Sequence, residues 1–416
     1  MSETSPKPLL VVGAGIAGVT AALEAAEAGQ PVVVVEREPS VGGRVLKNHK
    51  YFPKLCPPSC GMEINTRRLS KNPLVRVLVS SQVSAAQRSA GGWKVTVRTA
   101  AEHVTSACTA CGECTKACPA TVPDPFNLGM GKVAAIRLPH VDAWPRRFVM
   151  SRAACPGDCH ACADACKVPG AIDLDARDRT EDIEVSAVVV ATGWSPYPIE
   201  RLKELGGGVF RDVVSNVQLE RLAAPAGPTG GKILRPSDGA APKRVAFVQC
   251  AGSRDVKHLP YCSAVCCLAS TKQALYVKEQ LPDAEVSVYY IDRRTPGRNE
   301  SMLARAEAAG VRFVKGKVGR VGSGSGGSLS LRLEDVDAGR VRDVEADLVV
   351  LATGMVPAAN GELPLPVLRD GDGFALDDRA ARVFAAGVAR RPEDVAASVR
   401  DATGAAAKAL GAARSA

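Results

Sequence analysis

The sequence has few of the features that mark nucleic-acid-binding, membrane-spanning or exported proteins. Aromatic residues make up only 4% of the chain, too few for a base-stacking surface. The 53 basic residues are spread among 44 acidic ones, so we expect no nucleic-acid-binding patch despite a net charge of +9. The apolar stretch Leu9 to Leu23 contains three glycines and is too short to predict a spanning helix. The N-terminus MSETSPKPLL shows no secretory signal.

Cysteine, in contrast, is abundant, with 14 in 416 residues. In a chain without an export signal, these cysteines are not expected to form disulfides. Twelve of them fall into three groups of four, and only Cys56 and Cys60 stand apart. Metal clusters are therefore the first hypothesis for the three groups.

Hydrophobic patterning predicts an α/β fold with two Rossmann-like domains of the dinucleotide-binding type and an insert. Apolar runs at 9–12 and 31–36 flank an Ala-rich helix, which is a βαβ unit, and a second such unit starts at Arg244. Residues 185–191 predict another buried strand. The predicted boundaries are 1–100, 179–242 (including a linker) and 355–416 for the first α/β domain, 101–178 for a cysteine-rich insert, and 243–354 for the second α/β domain.

A glycine-rich loop in the first βαβ unit predicts a dinucleotide site. Gly13, Gly15 and Gly18 form G-x-G-x-x-G between the strand and the helix. Such glycines permit a tight turn, backbone approach to a pyrophosphate and close helix packing. Glu36 ends the next strand, where a carboxylate would bind ribose hydroxyls. The bland alternative is a glycine-rich turn without a ligand.

The segment after Glu36 resembles the E-x5-GGR signature of flavoproteins with two dinucleotide-binding domains, which implies FAD rather than NAD. The ATG at 191–193 and the VFAAG at 383–387 also match. That family usually has Gly-Asp at the last motif, where this chain has Val388. The predicted FAD contacts are Gly13, Ala14, Gly15, Ile16, Ala17, Gly18, Glu36, Arg37, Gly42, Gly43, Arg44, Val45, Ala191, Thr192, Gly193, Gly354, Gly387 and Val388.

Two cysteine runs in the insert predict two 4Fe-4S clusters of the ferredoxin type. The first run has the bacterial ferredoxin spacing, and the second is one residue longer in its first gap. In such proteins the fourth cysteine of each run binds the other cluster. One predicted set is thus Cys108, Cys111, Cys114 and Cys166, and the other is Cys118, Cys155, Cys159 and Cys162. Zinc is the weaker alternative, because zinc sites usually have paired C-x2-C knuckles.

The third cysteine group lies where related flavoproteins bind a nicotinamide cofactor. The strand that opens the second α/β domain ends in Cys250, and no G-x-G-x-x-G follows it. Four thiols with two adjacent suit a third 4Fe-4S cluster, and buried inert thiols are the alternative. The predicted ligands are Cys250, Cys262, Cys266 and Cys267.

With these residues identified, the chain resembles the HdrA family, the flavin and iron–sulfur subunits of heterodisulfide reductases. The most specific matching segments are 51–60, 249–255, 261–267 and 289–294. Methanogen members carry a further C-terminal ferredoxin module, before which this sequence ends. The short form and the segment 50–65 are most similar to QmoA, the corresponding subunit of quinone-interacting membrane-bound oxidoreductases.

That resemblance implies an electron-transfer subunit linking menaquinone to adenylylsulfate (APS) reductase in sulfur metabolism. The implied partners are APS reductase, a second flavin and iron–sulfur subunit, and a membrane haem subunit. The implied location is cytoplasmic, at the inner face of the membrane, with membrane contact through partner subunits only. The alternatives are an electron-bifurcating, HdrA-like subunit of a heterodisulfide reductase, an autonomous NAD(P)H-dependent oxidoreductase, and an iron–sulfur scaffold without flavin. No catalytic side chain is predicted.

Cys56 and Cys60 have three possible roles. Their C-x3-C spacing permits a dithiol–disulfide pair that exchanges electrons with FAD, a supplementary cluster ligand, or two thiols packed in a proline-rich loop. The resemblance to disulfide-reductase flavoproteins implies that the segment runs close to the flavin.

Overall fold

The computed structural model describes residues 6–52, 54–358 and 363–415. The segment used for the signal prediction, 1–10, lies partly outside these ranges. Residue 53 of the predicted motif 51–60 and residues 359–362 and 416 of the predicted segment 355–416 also lie outside them. The helices are α1 (Ile16–Glu27), α2 (Ser59–Lys71), α3 (Glu113–Ala117), α4 (Ala161–Asp164), α5 (Asn216–Ala223), α6 (Cys266–Gln280), α7 (Glu300–Ala308) and α8 (Val395–Arg414). The strands are β1 (Leu9–Val12), β2 (Val32–Val35), β3 (Val75–Leu78), β4 (Ser81–Ser89), β5 (Gly92–Thr99), β6 (Thr121–Pro123), β7 (Lys132–Ala134), β8 (Ile136–Arg137), β9 (Val149–Met150), β10 (Arg179–Val185), β11 (Val188–Val190), β12 (Trp194–Pro196), β13 (Val213–Ser215), β14 (Arg244–Ala251), β15 (Glu285–Tyr290), β16 (Arg312–Ser323), β17 (Leu329–Asp335), β18 (Arg340–Ala346), β19 (Leu348–Thr353), β20 (Met355–Pro357) and β21 (Val383–Ala385).

The first α/β unit has three layers. Its parallel sheet has the order β21-β11-β1-β2-β3, and β1 is buried on both faces because its residues are all apolar. The alanines of α1 and α8 let these two helices pack closely on one face. The antiparallel sheet β10-β5-β4 covers the other face through Trp93, Val95 and Val97.

The buried strand predicted at 185–191 is in fact divided between two sheets. Val185 ends β10 in the antiparallel layer, where it pairs with Trp93. Val188 begins β11, which pairs with β1 in the parallel layer. The chain changes layers at Ser186 and Ala187, both buried, so an unbroken apolar run conceals the break.

The second α/β unit has a seven-stranded sheet of order β13-β19-β14-β15-β16-β17-β18. Its strands are parallel as far as β16, and β16, β17 and β18 pair antiparallel. Strand β13 lies within 179–242, which we assigned to the first domain and a linker, yet it pairs with β19 of the second sheet. A three-residue strand with only two apolar residues, near a Pro- and Gly-rich stretch, gives too weak a signal for its sheet to be predicted.

The insert has only short elements around a small core. Val104, Ile136 and Phe148 pack there with the thiols of Cys114 and Cys162. The pairs β6–β7 and β8–β9 are antiparallel ladders of three and two residues. In the part of the chain described here, every helix is too short or too polar to cross a membrane.

Candidate dinucleotide and iron–sulfur sites

A cavity of about 950 Å³ opens at the carboxyl ends of β1, β2 and β11, the edge where parallel α/β sheets bind ligands. The insert and the second α/β unit complete its wall. The predicted FAD contacts that line this cavity are Gly13, Gly15, Ile16, Ala17, Glu36, Arg37, Gly43, Arg44, Val45, Ala191, Thr192, Gly193 and Val388.

The three motif glycines are required for different reasons. Gly13 has φ +102°, and a Cβ there would lie 2.5 Å from the Ala191 carbonyl oxygen. A Cβ at Gly18 would lie 1.8 Å from the Gly13 oxygen. At Gly15 the nearest atom, Gly43 Cα, would be 4.0 Å away. Protein packing thus explains Gly13 and Gly18 but leaves open space at Gly15, which fits a pyrophosphate approaching the backbone.

Glu36 is fixed at the end of β2 by two backbone N–H groups. Ala14 donates to its Oε2 at 2.5 Å and Glu38 to its Oε1 at 2.8 Å. Burial raises the pKa of this carboxyl group. Ala14, one of the predicted FAD contacts, does not line the cavity. Its backbone N–H instead holds the Glu36 carboxylate in place. The geometry fits a carboxylate that orients a ribose.

The cavity wall carries buried cations. Arg44 donates from Nε to the Trp194 carbonyl oxygen at 2.5 Å and stacks on that ring at 4.8 Å. Burial lowers the pKa of Arg44 to about 10 and also lowers that of Lys47. Among the described residues, neither side chain forms an ion pair with an acid. These cations fit an anionic ligand such as the FAD pyrophosphate.

Several buried polar atoms of wall residues have no hydrogen-bond partner within the described protein. They are His140 Nδ1, Gln273 Oε1 and Glu393 Oε1. The His140 ring stacks on Phe126 at 4.5 Å, and its Nε2 lies 2.9 Å from Ser40 Oγ. Burial lowers the pKa of His140 to about 4, so the imidazole is neutral near pH 7. Buried polar groups normally have partners, and a polar cofactor would supply them.

Some predicted FAD contacts lie behind the wall. A Cβ at Gly354 would lie 2.5 Å from Leu259 Cδ1, so this glycine is explained by packing against the loop that carries Cys262. Gly387 lies against Ala17, where a Cβ would approach to 2.7 Å. The other predicted residues that do not line the cavity are Ala14, Gly18 and Gly42.

An ion pair from the second α/β unit also lines the cavity, and sequence reasoning missed it. Lys272 Nζ lies 2.9 Å from Glu220 Oε1, with side-chain exposures of 3% and 4%. Gln273 Nε2 donates to the same oxygen at 2.7 Å, and the backbone N–H of His49 donates to Oε2 at 2.9 Å. Lys272 also donates to the Lys50 carbonyl oxygen at 2.6 Å. No motif marks these residues, because they meet only in the fold.

The insert brings one predicted ligand set together around a small cavity. Its lining includes Cys118, Cys155, Cys159 and Cys162, with Ile136 and Met150. This is the set that crossed ligation predicts. In the other set, burial and then the neighbouring Cys108 raise the pKa of Cys114 to about 11. Because the Cys114 thiol holds its proton at neutral pH, metal binding there must release that proton.

The third group of cysteines lies at the carboxyl end of β14 and the first turn of α6. Cys250 has φ +55°, and Cys266 and Cys267 begin the helix. A hydrogen bond from Cys266 lowers the pKa of Cys267 to about 6, and the same bond raises that of Cys266. Within the described ranges, no three His, Cys, Asp or Glu side chains are grouped as ligands of one metal ion. The ligand sets and the number of clusters are thus proposals.

Cys56 and Cys60 do not line the large cavity, although their neighbours Tyr51 and Phe52 do. Cys56 is half-buried and Cys60 is exposed at the start of α2. The backbone N–H of Tyr51 donates to the Cys56 carbonyl oxygen at 3.0 Å. The three roles considered for this pair stay predictions.

Comparison with known proteins identifies relatives of this chain. A FAD binding domain family matches residues 9–47. The HdrA subunit of the H2:CoB-CoM heterodisulfide, ferredoxin reductase of Methanothermobacter marburgensis is 35% identical over 96% of the chain. An iron-sulfur HdrA subunit of the CoB–CoM heterodisulfide reductase of Methanopyrus kandleri is 36% identical over 96%. The chain is homologous to the HdrA subunits of heterodisulfide reductases. It spans 63% of the length of both relatives.

The family match confirms the prediction of a FAD-binding domain. The relatives are named as subunits of reductases, which agrees with the predicted electron-transfer role. Among solved structures, thioredoxin reductase from T. acidophilum has a TM-score of 0.54 at 13% identity, with 99% of each chain covered. Bacillithiol disulfide reductase from Bacillus cereus gives the same TM-score, identity and coverage. These likenesses confirm the predicted α/β fold.

Proposed function

We propose that this chain is the FAD- and iron–sulfur-binding electron-transfer subunit of a heterodisulfide-reductase-like complex. One observation carries the proposal: the large cavity adjoins two of the three groups of cysteines. On the ladder of β8 and β9, Arg137 and Val149 line the large cavity, whereas their neighbours Ile136 and Met150 line the Cys118 cavity. At α6, Val265 and Ala269 line the large cavity on either side of Cys266 and Cys267.

FAD, when bound, exchanges electrons in pairs with some partners and singly with iron–sulfur clusters. The chain would hold its pyrophosphate at Gly15 and Gly43, with Arg44 as counter-charge and Glu36 on the ribose. The two insert sets and the Cys250 set would each hold a 4Fe-4S cluster. The second α/β unit would close the cavity with Lys272 and Glu220 and exclude water from it.

Heterodisulfide reductase-like partners are favoured by the relatives, and electron bifurcation is the form of chemistry that we propose with them. A quinone-coupled complex, with a membrane haem subunit, menaquinone and APS reductase, is the second candidate. It is supported by the sequence resemblance over 50–65. In that segment the Lys50 carbonyl oxygen accepts hydrogen bonds from Tyr276 and from Lys272, which lines the cavity. Purification from the native source distinguishes the two, because only the quinone-coupled complex would contain a haem-bearing membrane subunit.

We predict that NADH and NADPH do not bleach the flavin of the isolated subunit. In the second α/β unit, β14 ends just after Cys250, and the loop that follows presents thiols where a nicotinamide site needs a phosphate cradle. Anaerobic stopped-flow absorbance should show no flavin reduction by either nucleotide. Dithionite-reduced bacterial ferredoxin, as the positive control, should reduce it. Rapid bleaching by either nucleotide would instead favour the autonomous oxidoreductase.

A further inference from the structure

Two sequence segments on which the resemblance to the HdrA family rests, 249–255 and 289–294, have so far no role beyond Cys250. The fold brings them together at the third group of cysteines. Arg254 Nη2 lies 2.8 Å from Asp292 Oδ2, and its Nη1 lies 4.0 Å from Cys250 Sγ. Asp292 also accepts a hydrogen bond from Cys267 at its carbonyl oxygen, at 3.5 Å. Asp292 thus contacts Cys267 directly and is linked to Cys250 through Arg254.

The backbone is shaped to hold Arg254 in this place. Arg254 has φ +58°, a left-handed conformation that is unfavourable for a residue with a side chain. Its N–H donates to the Tyr261 carbonyl oxygen at 3.0 Å, which closes the loop between Cys250 and Cys262. With this backbone conformation, the guanidinium lies beside the Cys250 sulfur. Its side chain is 26% exposed, so solvent screens its charge only in part.

A second cation belongs to the same arrangement. Arg294 Nη2 lies 3.8 Å from Asp292 Oδ2, with 51% of the Arg294 side chain exposed. Arg293 lies between Asp292 and Arg294 in sequence but has other partners. It pairs with Glu307 at 2.8 Å and stacks on the Tyr290 ring at 5.2 Å.

We propose that Arg254, held by Asp292 and assisted by Arg294, raises the reduction potential of the third cluster. A cluster with four thiolates is anionic and gains one further negative charge when it accepts an electron. Nearby positive charge and hydrogen bonds to its sulfurs favour the reduced state. This inference rests on the proposed function, because it requires the third cluster.

The test is a redox titration of the anaerobic full-length protein followed by electron paramagnetic resonance. The signal that disappears in Cys250→Ser identifies the third cluster. Arg254→Gln should keep the iron content and lower the ratio of reduced to oxidised cluster about tenfold at a fixed potential, which is 59 mV for a one-electron couple. Arg254→Lys, which keeps the charge, should stay closer to the wild type. Arg293→Gln is the matched control and should leave the potential unchanged.

The outcomes separate the two proposals. A third cluster whose potential is the same in wild type and Arg254→Gln overturns the inference and leaves the proposed function intact. If Arg254→Gln loses this cluster, the titration of Arg294→Gln decides: a lower potential supports the inference, and an unchanged one overturns it. If no signal of the wild-type protein disappears in Cys250→Ser, the third cluster is excluded from the proposed function, and the inference fails with it.

Discussion

Replacing Gly15 with valine should leave the chain folded and abolish FAD binding. A Cβ at this position meets no protein atom nearer than Gly43 Cα at 4.0 Å, and its backbone is not in the left-handed region, with φ −71°. The residue lies on the cavity wall at the start of α1, so the added methyl groups would occupy the space of the pyrophosphate. FAD released on denaturation, measured by chromatography, should fall from about one per chain to a trace.

A matched glycine gives the control for this experiment. Gly404 lies within α8, where a Cβ would have no neighbour within 4 Å. Gly404→Val should therefore retain FAD, and both variants should show the wild-type far-ultraviolet circular dichroism. Full FAD content in Gly15→Val would show that the pyrophosphate does not lie on this loop.

Replacing Lys272 with methionine should lower the free energy of unfolding by about 3–5 kcal/mol, the usual effect of removing one member of a buried ion pair. Lys272 and Glu220 are both nearly inaccessible. Without the ammonium group, the Glu220 carboxylate keeps two donors, Gln273 and the backbone of His49, but loses its counter-charge. Chemical denaturation under anaerobic conditions measures the change.

Two further variants show whether charge is the cause. Adding Glu220→Gln to Lys272→Met removes the unpaired carboxylate and should recover part of the lost stability. Arg332→Met breaks an exposed pair with Asp343, whose side chains are 59% and 55% exposed, and should change stability by less than about 1 kcal/mol. A Lys272→Met protein as stable as the wild type would contradict the account of this wall.

The parts of the site that are local in sequence could be predicted from it. The turn at Gly13, the carboxylate of Glu36 and the glycine pair at 42–43 belong to one βαβ unit, where spacing along the chain fixes their relative positions. Gly354 shows the limit of the same reasoning. Its ATG motif matches that at 191–193, yet a second domain without the dinucleotide loop uses this glycine to pack the cysteine loop.

The contacts between units could not be predicted in this way. Lys272 and Glu220 are far apart in sequence, yet they pair in the fold. Both line a cavity whose predicted part lies in residues 13–45. His140 and Phe126 reach it from an insert with little regular structure. Pairings of this kind depend on how sheets, helices and loops pack, and hydrophobic periodicity carries no information about them.

The central claim is that one chain joins a flavin site to three cluster sites, and metal and flavin content test it most directly. Anaerobically purified protein should contain about twelve irons and one FAD per chain, because three cubanes have four irons each. Cys250→Ser should contain about eight irons and keep its FAD. Iron that is unchanged by this substitution, iron near four per chain in the wild type, or zinc in place of iron would contradict the account.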